Sequence, residues 1–94
     1  SKPALLGLSK LLAKELGPAG IRVNCLAPGV VRTRFSKVLW ESEAANTAAC
    51  EAAFLGRTSA PEEMAGAVAF MCCEDASFMT GETMIVGGGL EARL

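Results

Sequence analysis

Apolar residues recur in steps of three and four at Ala4, Leu5, Leu8, Leu11, Leu12 and Leu16, with Lys10 and Lys14 set apart from the stripe. That spacing predicts an amphipathic helix over 4–16. Gly17-Pro18 predicts its end: Gly17 takes the left-handed position after the helix, and Pro18 cannot continue it. Ile21, Val23 and Cys25 then share one face, Leu26 and Ala27 extend the apolar character, and Pro28-Gly29 closes the run. We expect a strand over 21–27, near the centre of a sheet. Residues 30–56 keep no single period, and the Ala-rich stretch from Val38 to Ala53 predicts one or two short helices. Ser59-Ala60-Pro61-Glu62 has the spacing of a capping box with proline in the first turn. The helix it opens carries Met64, Ala65, Val68, Ala69 and Cys72, widened by Phe70 and Met71. Thr80-Gly81 reads as a turn, Thr83 to Val86 as a short strand, and Gly87-Gly88-Gly89 as its end.

Helix, strand, helix, strand implies an α/β fold with parallel strands joined by a right-handed crossover. Two parallel strands do not bury themselves. The chain has 94 residues, 51% of them apolar and 5% aromatic. A chain that short buries only about 60–65% of its unfolded surface. We therefore expect residues 1–94 to be the C-terminal portion of one larger α/β domain, incomplete as a stand-alone domain.

Nine basic against ten acidic residues leave a net charge of −1. That balance excludes a nucleic-acid arm or a polybasic membrane patch as the main theme. No apolar run reaches the roughly 18–20 residues of a membrane span. Cys25, Cys50, Cys72 and Cys73 match no metal-binding spacing, and the chain has no His, so no metal site is expected. The four read as small buried hydrophobes in a reducing compartment.

The chain resembles the last third of a short-chain dehydrogenase/reductase. The resemblance rests on Ser1-Lys2 opening a helix, on Ile21-Arg22-Val23-Asn24 followed by Ala27-Pro28-Gly29, and on Thr33 four residues past that glycine. It continues in Pro61-Glu62-Glu63 heading a helix, in Ser77, Thr80 and Gly81, and in a last strand ending in glycines. Many relatives carry Asp before the paired glycines at that point, and this chain has Gly87. In this it is similar to the branch of peroxisomal NADP-dependent retinol dehydrogenase/reductases, or carbonyl reductases. The fold implied is a Rossmann-like, doubly wound parallel sheet.

The resemblance also implies roles. Lys2 matches the lysine that binds the nicotinamide ribose and favours the ionised form of a catalytic Tyr four residues before it. At that spacing the two side chains share a helix face. Without the resemblance, Lys2 is a solvated lysine in a helix's first turn. Pro28, Gly29, Val31 and Thr33 match the segment whose main chain and hydroxyl hold the nicotinamide carboxamide, at the C-terminal end of a parallel strand. Phe35, Leu39 and Trp40, within a stretch of about 33–56, match the variable substrate lid. Their rival reading is ordinary packing of a helical hairpin or a subunit contact. Arg32, Arg34 and Lys37 face cofactor phosphate or form a solvated basic rim, the rim being the reading favoured. The glycine run of 87–89 lacks the spacing of a phosphate loop and reads as a turn.

Ala92-Arg93-Leu94 fits the small-basic-Leu form of a C-terminal peroxisomal signal. Expected overall is a hydride-transferring oxidoreductase of NADP(H) and a small lipophilic carbonyl or alcohol such as a retinoid, ketone or aldehyde. A homotetramer and a peroxisomal import receptor are the expected partners, with cytoplasm as the alternative location. The rival class is a non-catalytic relative whose segment serves packing, oligomerisation and targeting.

Overall fold

The computed structural model describes residues 2–90, and Lys2 by its backbone alone. The elements are α1 (Lys2–Leu16), β1 (Cys25–Pro28), α2 (Glu43–Ala52), α3 (Pro61–Cys72) and β2 (Thr83–Val86). β1 and β2 form a two-stranded sheet. Cys25 N–H donates to the Glu82 carbonyl and Gly29 N–H to the Val86 carbonyl, an offset that stays constant as both strands advance. The pair is therefore parallel, as the element order implies. The chain divides into two compact units, Ser1–Ala27 with Val68–Met84, and Pro28–Ala67 with Ile85–Leu94.

In the first unit α1 ends at Leu16, and Gly17–Ala19 tightens into a single 3₁₀ turn. The left-handed residue is Gly20 at φ 78°, not Gly17, because Pro18 sits inside the tight turn and moves the chain reversal to its end. The inward face of α1 also differs from the expected stripe. Leu5, Leu8, Leu11 and Leu12 are exposed, while Leu6, Ser9, Ala13 and Leu16 are buried or half-buried. Ala13 is the closest of these to the sheet turn: a Cβ placed on Gly81 would sit 3.5 Å from its methyl. A small side chain there lets helix and turn backbones approach, which a leucine prevents.

The strand expected from Ile21 is shorter and starts at Cys25. Upstream, side chains do the pairing. Val23 N–H donates to the Thr80 hydroxyl, and Gly81 N–H donates to the Val23 carbonyl. Asn24 donates to the Met79 carbonyl and accepts from Glu82 N–H. Arg22 donates to the Met79 and Met71 carbonyls at 3.0 and 2.8 Å. Among the cysteines only Cys25 is buried; Cys72 and Cys73 are exposed at the end of α3, which corrects the expectation of four buried thiols.

In the second unit one helix, α2, fills the Ala-rich stretch, and the Ser42 hydroxyl caps it by accepting from Ala45 N–H at 3.1 Å. The cap of α3 is shifted by one residue from the expected box. Pro61 is the first helical residue, so Glu63, not Glu62, reaches back to Ala60 N–H at 2.9 Å. Gly88 and Gly89 adopt φ 72° and 87° and accept through their carbonyls from Leu55 and Phe54 N–H. The glycine run is a turn held to 54–55, as its spacing indicates.

Candidate functional site

The site begins where β1 ends. Gly29 N–H donates to the Val86 carbonyl at 3.0 Å, and the chain then pairs with the segment leading into α3. Ser59 N–H donates to the Val30 carbonyl and Arg32 N–H to the Ser59 carbonyl, each at 2.9 Å. In this parallel bridge of Val31 with Ser59, the N–H and carbonyl of Val31 itself face the opposite way. Its carbonyl accepts from the Ser36 hydroxyl. Its N–H meets no acceptor among the described residues.

Thr33 and Ser36 close a tight turn beside it. Ser36 N–H donates to Thr33 Oγ1, Thr33 N–H donates to Ser36 Oγ, and the two hydroxyls lie 3.1 Å apart. Trp40 donates its indole N–H to the Thr33 carbonyl at 3.2 Å. Val31, Thr33, Ser36 and Trp40 are all half-buried, so their polar atoms are ordered but reachable. Recognition of a primary carboxamide needs one donor and one acceptor. Val31 N–H is a donor with no acceptor among the described residues, and the Thr33 hydroxyl can accept.

Arg32 braces this segment from outside. Its guanidinium donates to the Thr58 hydroxyl and to Asn46 Oδ1, each at 3.1 Å, and lies 5.1 Å from the centre of the Trp40 ring. It is therefore a structural tie rather than part of a free basic rim. Lys37 pairs with Glu41 across one helical turn at 3.6 Å, and Arg34 is exposed. Nearby, Arg57 grips both carboxylate oxygens of Glu63 at 2.7 and 2.8 Å. The Arg57 bond, helped by Ala60 N–H, lowers the Glu63 carboxyl to about 2.

The structure joins Val31 and Thr33 through Ser36, which sequence reasoning missed, and Trp40 joins them at the Thr33 carbonyl. The only signal for Ser36 was a serine three residues after a threonine, a common turn pattern. Phe35 and Leu39 stand apart from this cluster: Phe35 is fully exposed and Leu39 half-exposed. Pro28 is the last residue of β1. Lys2 is the first residue of α1, and its side chain lies outside the described residues, as do Ala92, Arg93 and Leu94. A recess of about 230 Å³ lies among Gly29, Ala53, Met64 and Val86, and neither Val31 nor Thr33 lines it.

A family profile described as enoyl-(acyl carrier protein) reductase matches residues 1–91. Over all 94 residues the chain is 56% identical to dehydrogenase/reductase SDR family member 4 of Mus musculus. The chain belongs to the short-chain dehydrogenase/reductase family. It spans about a third of the curated relatives it matches, 34% of the mouse protein. Among solved short-chain dehydrogenases, 4-hydroxyisoleucine dehydrogenase complexed with NADH superposes with a TM-score of 0.90 at 30% identity, covering 99% of this chain and 38% of that one. YwfH, an NADPH-dependent reductase involved in bacilysin biosynthesis, gives 0.88 at 30% identity, over 98% of this chain and 38% of its own. About seven in ten aligned positions thus differ between this chain and these structures while the fold is kept.

Proposed function

We propose that the complete protein transfers a hydride reversibly between NADP(H) and a carbonyl or alcohol, the substrate being lipophilic, such as a retinoid, ketone or aldehyde. The observation that carries this reading is the donor and acceptor after β1, Val31 N–H and the Thr33 hydroxyl. They follow the C-terminal end of a parallel strand, where open α/β sheets bind ligands, and they suit a nicotinamide carboxamide. The bound cofactor supplies the hydride. In this reading Val31 and Thr33 hold the carboxamide and so restrict rotation of the ring. Lys2 hydrogen-bonds the ribose, and its ammonium favours the tyrosinate of a Tyr four residues ahead of it in the complete protein. That phenol gives its proton to the carbonyl oxygen in reduction and takes it back in oxidation.

The branch resemblance carried by Gly87 supports NADP(H) over NAD(H), and the small-basic-Leu form of Ala92-Arg93-Leu94 supports import into peroxisomes by a receptor. Exposed Phe35, Val38 and Leu39, with Trp40 beside them, support a lid that favours lipophilic substrates. Exposed Val68 and Phe70 on α3 and Ile85 on β2 support subunit contacts in a homotetramer.

The test is steady-state oxidation of NADPH and NADH by the full-length protein with retinal, aromatic ketones and short hydrophilic aldehydes. Carbonyl-dependent oxidation, faster with NADPH and with kcat/KM rising with lipophilicity, is the expected result. No carbonyl-dependent oxidation of either cofactor across the panel overturns the reading.

A further inference from the structure

A serine hydroxyl has one proton to give and two lone pairs to offer. Ser36 Oγ has four polar neighbours: the Val31 carbonyl, and the N–H, Oγ1 and carbonyl of Thr33. The proton goes to the Val31 carbonyl, because the Thr33 carbonyl lies at the far edge of reach, 3.4 Å. The Thr33 carbonyl is in any case served by the Trp40 indole N–H. With its proton committed, Ser36 Oγ can only accept from its remaining neighbours. Thr33 N–H is one donor to it, and the Thr33 hydroxyl must be the other. Thr33 Oγ1 then has its own proton turned toward Ser36 and one lone pair taken by Ser36 N–H. What remains for a ligand is a single lone pair.

We propose that Ser36 is a specificity-determining positioning residue: by holding the Thr33 proton, it makes the site a donor at Val31 and an acceptor at Thr33. This rests on the nicotinamide reading of 28–33 given above. A carboxamide matches that polarity, its oxygen facing Val31 N–H and its NH₂ facing Thr33 Oγ1. A carboxylate in the same place offers acceptors at both positions, and one of them meets a lone pair. The site therefore takes a nicotinamide dinucleotide and discriminates against its nicotinic-acid counterpart, by on the order of tenfold to a hundredfold for one mismatched bond to a charged group.

Removing the Ser36 hydroxyl frees the Thr33 O–H to turn outward and donate to a carboxylate. The test is calorimetric binding to the full-length protein of NADP⁺, nicotinic acid adenine dinucleotide phosphate and 2′-phospho-ADP-ribose, with the non-phosphorylated series in parallel. Wild type is expected to prefer the amide to the acid. In Ser36→Ala that ratio should fall roughly tenfold, while affinity for the nicotinamide-free analogue stays unchanged. Ser36→Thr, which keeps a hydroxyl, should restore the ratio. Should Ser36→Ala lose its thermal transition, Ser36→Cys, a weak donor of similar size, decides by the same ratio. A wild type that discriminates, with variants that leave the ratio unaltered, overturns the role of Ser36 and spares the nicotinamide reading. A wild type that binds the amide, the acid and the nicotinamide-free analogue alike overturns both.

Discussion

Gly29 and Gly87 meet backbone to backbone: a Cβ on Gly29 would stand 2.9 Å from Gly87 Cα and 3.0 Å from the Gly87 carbonyl oxygen. Glycine at position 29 allows this approach at the point where β1 hands the chain to Val31.

Gly29→Ala should therefore destabilise the full-length protein by about 1–3 kcal/mol, the usual cost of forcing extra volume into a packed place. Backbone has to move, and the Gly29 N–H bond to Val86 moves with it. Denaturant unfolding measures this, and nicotinamide dinucleotide affinity should weaken in the same variant. A Gly29→Ala protein as stable as wild type would contradict the close approach.

Arg22 holds two carbonyls, those of Met71 and Met79, that have no other cation beside them among the described residues. Arg22→Ala should cost about 1.5–3 kcal/mol, the range for hydrogen bonds to a charged group. Arg22→Lys should recover only part, because one ammonium cannot reproduce the planar fork. Chemical denaturation midpoints at constant m-value are the readout, and equal midpoints for all three proteins would refute the clamp.

The Arg57–Glu63 pair predicts an acid-sensitive component of stability. Glu63 titrates at about 2 when folded against 4.5 normally, because Arg57 and then Ala60 N–H bond its ionised form. A depressed carboxyl contributes fully above its unfolded value, and the contribution drains away as pH falls from 4.5 toward 2. Melting temperature should thus fall more steeply across that window in wild type than in Glu63→Gln, and added salt should narrow the gap. Parallel curves would show that the pair contributes nothing at this exposed position.

Periodicity and punctuation made the element order legible, and the family resemblance pointed to Val31 and Thr33 as candidates. Two things lay beyond them. On α1 the leucines at 5, 8, 11 and 12 outnumber the face that turns inward, where Ala13 meets Gly81; hydrophobic content cannot say which apolar face a close backbone approach selects. Ser36 is an ordinary turn residue in sequence, and its grip on the Val31 carbonyl exists only once the bridge to Ser59 has turned that carbonyl toward it. The capping shift has the same origin: Glu62 and Glu63 are equivalent by composition, and the start of the helix at Pro61 chooses between them.

Targeting is testable apart from catalysis, since an import tripeptide needs only an exposed end. Deleting Ala92-Arg93-Leu94 should move the full-length protein from peroxisomes to cytosol while leaving kcat/KM near wild type. Fluorescence imaging of tagged proteins decides, with the tag at the N-terminus. Unchanged location would make the tripeptide a coincidence.

In the proposed reaction the proton and the ribose both depend on Lys2, so the pH profile of kcat/KM in full-length Lys2→Ala tests that chemistry most directly. Loss of the ribose bond and of the cation beside the Tyr should lower kcat/KM by at least about 10³-fold. The optimum for alcohol oxidation should move upward, because a phenol without its cation ionises later. Lys2→Arg should restore activity only in part. A Lys2→Ala enzyme within about fivefold of wild type, a difference of only about 1 kcal/mol in the barrier, with an unshifted profile would contradict the account.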